Sequence, residues 1–119
     1  MTQTARPWGY YELLHEEGHE SRVRLVSMQP HSHMSLQKHD KRNELWFVLQ
    51  GQATVHTLDS SSDMELVGVF GRHQHLWVHT EQWHQVSNNC DIELRMIEVQ
   101  FGEDCRDSDV VRMGDGKAA

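Results

Sequence analysis

Basic charge, cysteine, proline, long apolar runs and helical periodicity are all in short supply in this chain. Lysine and arginine number 11 against 18 acidic residues, a formal net charge of -7. With no basic stripe carrying interleaved aromatics, that balance would repel a phosphate backbone and excludes nucleic acid as a partner. No apolar run is long enough to span a bilayer, which excludes a membrane helix. The opening "MTQTARPWGYY" has none of the layout of a signal peptide, so the cytoplasm is the expected location. The two cysteines, Cys90 and Cys105, match no metal-binding pair spacing. Without a secretory signal they are expected as free thiols. The 119 residues suffice for one domain and not two. Its core is expected over about 6–113, with 1–5 and 114–119 as frayed tails.

What the chain has instead is a series of short strand-like runs separated by turn residues, the pattern of an all-β protein. "RVRLVSM" (22–28) stops at Pro30. "ELWFVLQ" and "ATVHTL" flank Gly51 and read as two strands joined by a tight turn at Gln50, Gly51 and Gln52. "MELVGVF" (64–70), "HLWVH" (75–79) and "WHQVSNN" (83–89) follow. In "DIELRMIEVQF" (91–101) the apolar residues run Ile92, Leu94, Met96 and then Ile97, Val99, Phe101, a change of phase that suggests a bulge or a bend. About eight strands must bury their apolar faces against one another, which predicts a two-sheet jelly roll. Trp46, Phe47 and Trp77 are expected in its core, while Trp8 and Trp83 are candidates to line a ligand face.

Histidine is plentiful, with ten residues. Gln37 and His39 are two apart, so on a strand both would face one side, roughly 7 Å apart. Glu44 follows a polar turn, and His84 heads "HQVSN". In a closed sheet these four can converge on the interior. Imidazole, carboxylate and amide oxygen suit zinc, manganese, iron, cobalt or nickel, and the lack of thiolate argues against a structural zinc site. The residues also fit an exposed polar turn with His84 unrelated to it. A second cluster, His73, His75 and His79, has an H-x-H spacing but no carboxylate in its own strand, and reads as a polar face.

These residues resemble the cupin motifs. "QKHDKRNELWFVLQG" (37–51) supplies the first, with Gln37 in place of its leading histidine, and "HQVSN" (84–88) the second. The chain more narrowly resembles the C-terminal isomerase domain of type II mannose-6-phosphate isomerases, a domain usually fused to a mannose-1-phosphate guanylyltransferase. "RPWGYYELL" (6–14), Pro30, "SLQKHDKRNELW" (35–46), "IEVQFG" (97–102) and "DVVR" (109–112) carry the likeness over roughly 6–113.

The resemblance implies a cupin double-stranded β-helix, a divalent metal with zinc foremost, and Gln37, His39, Glu44 and His84 as its ligands. It implies isomerisation of mannose 6-phosphate to fructose 6-phosphate through an enediol. Departures from the family are Lys41 and Leu45 where histidines are usual, His79 and Glu81 where proline and glycine are usual, and a reduced C-terminal motif. The guanylyltransferase portion has no counterpart. Lys41 and His79 are the candidate bases, and Arg6 and Arg112 the candidate phosphate ligands, with Arg42 a third. Cupins commonly pair, so a homodimer is expected by analogy. The alternative is a non-catalytic metal-containing cupin that binds a sugar or small ligand. An iron dioxygenase on the same barrel is less well matched because of Gln37.

Overall fold

The computed structural model describes residues 2–113 and contains strands but, among those residues, no helix. The chain opens with β1 (Gln3–Arg6), β2 (Gly9–Glu17), β3 (Ser21–Met28) and the short β4 (Ser32–His33) and β5 (Gln37–Lys38). β6 (Arg42–Gln50), β7 (Ala53–Leu58), β8 (Met64–Phe70) and β9 (His75–Val78) follow. β10 (Gln85–Asn88), β11 (Leu94–Gly102) and β12 (Val111–Arg112) complete it. One sheet has the order β1-β2-β3-β11-β6-β9, a second has the order β4-β10-β7-β8, and β12 pairs with β5 as a separate ribbon. All pairings are antiparallel. This is the expected all-β jelly roll.

The apolar core lies between the sheets. Val26 and Met28 from β3, Trp46 and Val48 from β6, and Leu94 and Met96 from β11 meet Val55 and Val86 from the other sheet. Each such side chain contributes about 1.5–3 kcal/mol when removed from water.

The inward faces of the three central strands change character along their length. Register sets Met96 against Val26 and Val48, then Glu98 against Arg24 and Trp46, and then Gln100 against Arg22 and Glu44. One half of the sandwich is therefore filled with hydrocarbon and the other with charged and amide groups. Of these, Arg24, Glu44 and Glu98 line a cavity.

Several expectations need correction. The change of phase in β11 is not a change of face: Leu94, Met96, Glu98 and Gln100 form one unbroken buried series, and Ile97, Val99 and Phe101 lie on the other side. A register irregularity does occur, between Arg95 and Met96 opposite Gln50 and Val48, so the bulge is real while the alternation continues through it. β6 and β7 are not a hairpin, because they belong to different sheets. Gly51 carries the chain between them at φ +82, and a Cβ there would lie 3.0 Å from the Glu93 carbonyl oxygen. Residues 3–5 are not frayed but pair with Tyr10–Glu12, while 114–119 lie outside the described residues. Trp46 is buried as expected, but Phe47 and Trp77 are 38% and 47% exposed, because odd positions of β6 and β9 face outward. Both cysteines are free thiols, as expected.

Candidate metal centre

Three elements converge at the polar end of the sandwich. His39 lies just past β5, Glu44 near the start of β6, and His84 just before β10, where it bridges to Gln37. All three side chains are buried, and their ligand atoms lie within 4.8 Å of one another. The two imidazole centroids are 5.3 Å apart. Gln37, the fourth expected ligand, lines the same cavity. It is tied to His84 by reciprocal backbone hydrogen bonds of 3.0 and 2.9 Å.

Each ring is oriented from behind. His39 Nδ1 is 2.7 Å from the Asp109 carbonyl oxygen, and His84 Nδ1 is 3.0 Å from that of Gln82. A carbonyl only accepts, so each Nδ1 carries a proton and donates it, leaving Nε2 with the lone pair in the neutral ring. Glu44 accepts from Trp46 Nε1 at Oε1 (2.8 Å) and from Arg42 Nε at Oε2 (2.9 Å), with His39 Nε2 at 3.1 Å from Oε2.

Charge state follows from these surroundings. Burial pushes the Glu44 carboxyl up, but the contact with His39 and the charge of Arg42 outweigh it and hold the group well below its usual range. Burial lowers His84, against the pull of Glu44, and so favours the neutral imidazole. An ionised carboxylate beside two imidazoles whose Nδ1 atoms are engaged by carbonyls is the donor set a borderline divalent ion requires. The residues fit such an ion, and the Gln37 amide lies in the same cavity to extend the set.

A second polar layer, missed from the sequence, lies beside the first. Glu98 accepts from Arg24 Nε at 2.6 Å and from Gln100 Nε2 at 2.8 Å, both at Oε1. Arg22 links Gln100 (3.0 Å) to Asp107 (2.8 Å). Burial raises the Glu98 carboxyl, Arg24 opposes that rise, and the neighbouring negative Glu44 adds to it, leaving Glu98 above its usual value. The Arg24 guanidinium stacks 4.1 Å from the Tyr11 ring centre, with Arg6 at 5.3 Å from the same ring. A signal for this layer was present in "IEVQF": a glutamate and a glutamine at the inward positions of an otherwise apolar strand.

The other candidates divide. Arg6 and Arg112 are both exposed and both line the cavity mouth, the latter because β12 pairs it with Gln37. Arg42 is buried inside the site. Lys41 and His79 are exposed and neither lines the cavity, which corrects the expectation that they face a substrate. Lys41 sits in the turn before β6, where its backbone N–H donates to Asp109 and its side chain is left to solvent. His79 follows the inward-facing Val78 and so points outward. Trp8 lines the cavity, whereas Trp83 does not and instead has Lys38 Nζ 5.4 Å from its ring. His73 stacks on Phe47 at 5.9 Å, on the outer surface.

Comparison with known proteins bears on the family and the fold. A mannose-1-phosphate guanylyltransferase of Escherichia coli K12 is 33% identical over 110 residues, 92% of this chain but 22% of its own length. The chain thus spans about a fifth of that relative. The capsular polysaccharide assembling protein CapF of Staphylococcus aureus superposes with a TM-score of 0.80 at 14% identity, over 94% of this chain and 34% of its own. A double-stranded β-helix protein from Klebsiella pneumoniae gives 0.71 at 13% identity, over 92% of this chain and 85% of its own. These establish the cupin fold. The family described as mannose-6-phosphate isomerase C-terminal matches residues 1–115, and the chain belongs to it.

Proposed function

We propose that the chain is a metal-dependent aldose–ketose isomerase acting on mannose 6-phosphate or a close hexose phosphate. The observation that carries this reading is the meeting of His39, Glu44 and His84 ligand atoms within 4.8 Å inside a cavity whose mouth holds Arg6 and Arg112. Gln37, His39, Glu44 and His84 would hold the ion, zinc foremost. A divalent ion there supplies Lewis acidity to the substrate's oxygens and stabilises negative charge developing on them.

The protein's own groups do the rest. Arg6 and Arg112 offer guanidinium forks to the phosphate. Four cavity-lining arginines (Arg6, Arg24, Arg42, Arg112) against three carboxylates (Glu44, Glu98, Asp107) give 4 - 3 = +1, a locally positive site in a chain of net charge -7. Trp8 and Tyr11 form an aromatic wall. With Lys41 and His79 outside the cavity, proton transfer between C2 and C1 falls to Glu98. Its raised affinity for protons brings it toward the working pH, as a general base requires.

A coupled assay of mannose 6-phosphate conversion to fructose 6-phosphate, with zinc or manganese added, tests the reading. Glu44→Gln should lose both metal and turnover, and metal occupancy that survives the change counts against the site. The second reading, a metal-containing cupin that binds a sugar without turning it over, is favoured by the outward placement of Lys41 and His79. Binding without turnover under every metal tried would select it. Pairing of two copies is proposed through the outer face of the larger sheet, where Phe47 and Trp77 are exposed.

A further inference from the structure

Arg42 reaches into the ligand triad itself. Its side chain is 5% exposed, Nε donates to Glu44 Oε2 at 2.9 Å, and Nη2 lies 3.2 Å from His39 Nε2. His39 Nδ1 is taken by the Asp109 carbonyl, so Nε2 is the ring atom left to face a metal, and Glu44 Oε2 lies 3.1 Å from that same atom. The carboxylate oxygen has two lone pairs and can serve two partners. The imidazole Nε2 serves one at a time. Arg42 therefore stands against the nitrogen that a metal ion would need from His39, and places a fixed positive charge against the oxygen it would need from Glu44. Like charges that close in a buried site repel strongly.

The guanidinium is also tethered. Nη1 donates to the Cys105 carbonyl at 3.1 Å. The segment bearing Cys105 is strapped over the site. Asp109 accepts the Asp40 and Lys41 N–H groups, Val111 and Arg112 pair with Lys38 and Gln37, and Met113 N–H donates to the Leu36 carbonyl at 2.9 Å.

We infer that Arg42 is an internal cation that competes with a divalent metal for His39 and Glu44, so that metal loading requires its guanidinium to leave the triad. This rests on the reading of His39, Glu44 and His84 as metal ligands. The displaced group remains in the cavity it lines and becomes a donor free for an anionic substrate. Arg42 thus sets how tightly the site holds metal, a role separate from that of any ligand.

The test uses the 119-residue chain stripped with a chelator and titrated with zinc or manganese against a chromophoric competitor. Arg42→Met should bind metal about tenfold to hundredfold tighter than wild type, the equivalent of one charged hydrogen bond removed from competition. Arg42→Lys, which keeps the charge but not the fork, should fall between them. Stripped Arg42→Met should also melt below stripped wild type and gain more from added metal. A folded Arg42→Met with equal or weaker affinity overturns the inference, because Arg42 would then be organising Glu44 for the metal.

If that variant does not fold, the Arg42 Nε–H resonance of wild type gives the answer. A large shift on zinc saturation supports displacement, and an unmoved signal refutes it. Wild type that binds metal with Arg42→Met no tighter sinks this inference alone. Failure of both to bind sinks it together with the metal reading, whereas binding by Arg42→Met alone supports competition in its extreme form.

Discussion

Glu44 and Glu98 are both fully buried carboxylates, yet their surroundings drive them in opposite directions. Glu44 gathers Trp46, Arg42 and His39, and stays ionised; Glu98 has Arg24 but also faces Glu44. Under the proposed isomerase function, the two carboxyls of opposed proton affinity would divide the labour, one ligating and the other carrying a proton. Glu98→Gln should therefore lower isomerase kcat by about 10²–10⁴-fold while leaving metal occupancy intact. A coupled assay beside elemental analysis checks this, and an active Glu98→Gln would return the base to another group. "RMIEVQF" hid this residue because its flanking apolar residues suggested a core strand. Only the neighbours across β3 and β6 give this inward glutamate its raised proton affinity.

At the scale of elements, β11 does two jobs in one strand. Its Leu94 and Met96 half seals the core, and its Glu98 and Gln100 half builds the site. The strand ends at Gly102, φ +149, where a Cβ would stand 2.4 Å from the Lys41 carbonyl oxygen and 2.9 Å from Arg42 Cα. That close approach keeps the turn bearing Lys41 and Arg42 against the end of β11. Gly102→Ala must push this turn away and should cost about 1–3 kcal/mol of stability. Metal affinity should change with it, since Arg42 and His39 shift with the turn. Chemical denaturation and the metal titration measure the two effects. The strands of the core were legible in the sequence because burial on one face imposes a period of two. β1 and β2 were not, since most of β2 is exposed and shows no clean alternation.

At the scale of the molecule, pH and association report on the site and on the outer face. Burial holds His84 below the ordinary histidine value of 6.5. Between the lowered value and 6.5 the unfolded chain takes up a proton that the folded chain refuses. His84 thus contributes fully above 6.5, and its contribution is lost as pH falls. Below about 4.5 the depressed Glu44 adds a second loss of the same sign. Glu98, raised, acts oppositely: its contribution is full below 4.5 and declines as pH climbs through its folded value. Between pH 7 and 5 the melting temperature of stripped His84→Gln should fall less, relative to its value at pH 7, than that of stripped wild type.

The outer face gives the second prediction. Phe47 and Trp77, with Phe101 packed edge-on against Trp77 at 5.7 Å, leave an apolar band in water. Light scattering should show a dimer, and Trp77→Asp should convert it to monomer with little change in fold. A monomeric wild type would refute the pairing.

Taken alone, the sequence determined the all-β class and most of the core strands, since periodicity is a local property. It also marked Arg6 and Arg112 by their place in recognisable segments, and both reach the cavity mouth. Tertiary structure alone decided which polar residues share a cavity. Lys41 and Arg42 are adjacent, yet the pleat sends one to solvent and the other onto Glu44. Arg24 and Glu98 are 74 positions apart, yet register sets them in contact. Facing and register are properties of a packed sheet, because they arise from which strands pair and not from any residue's own preference.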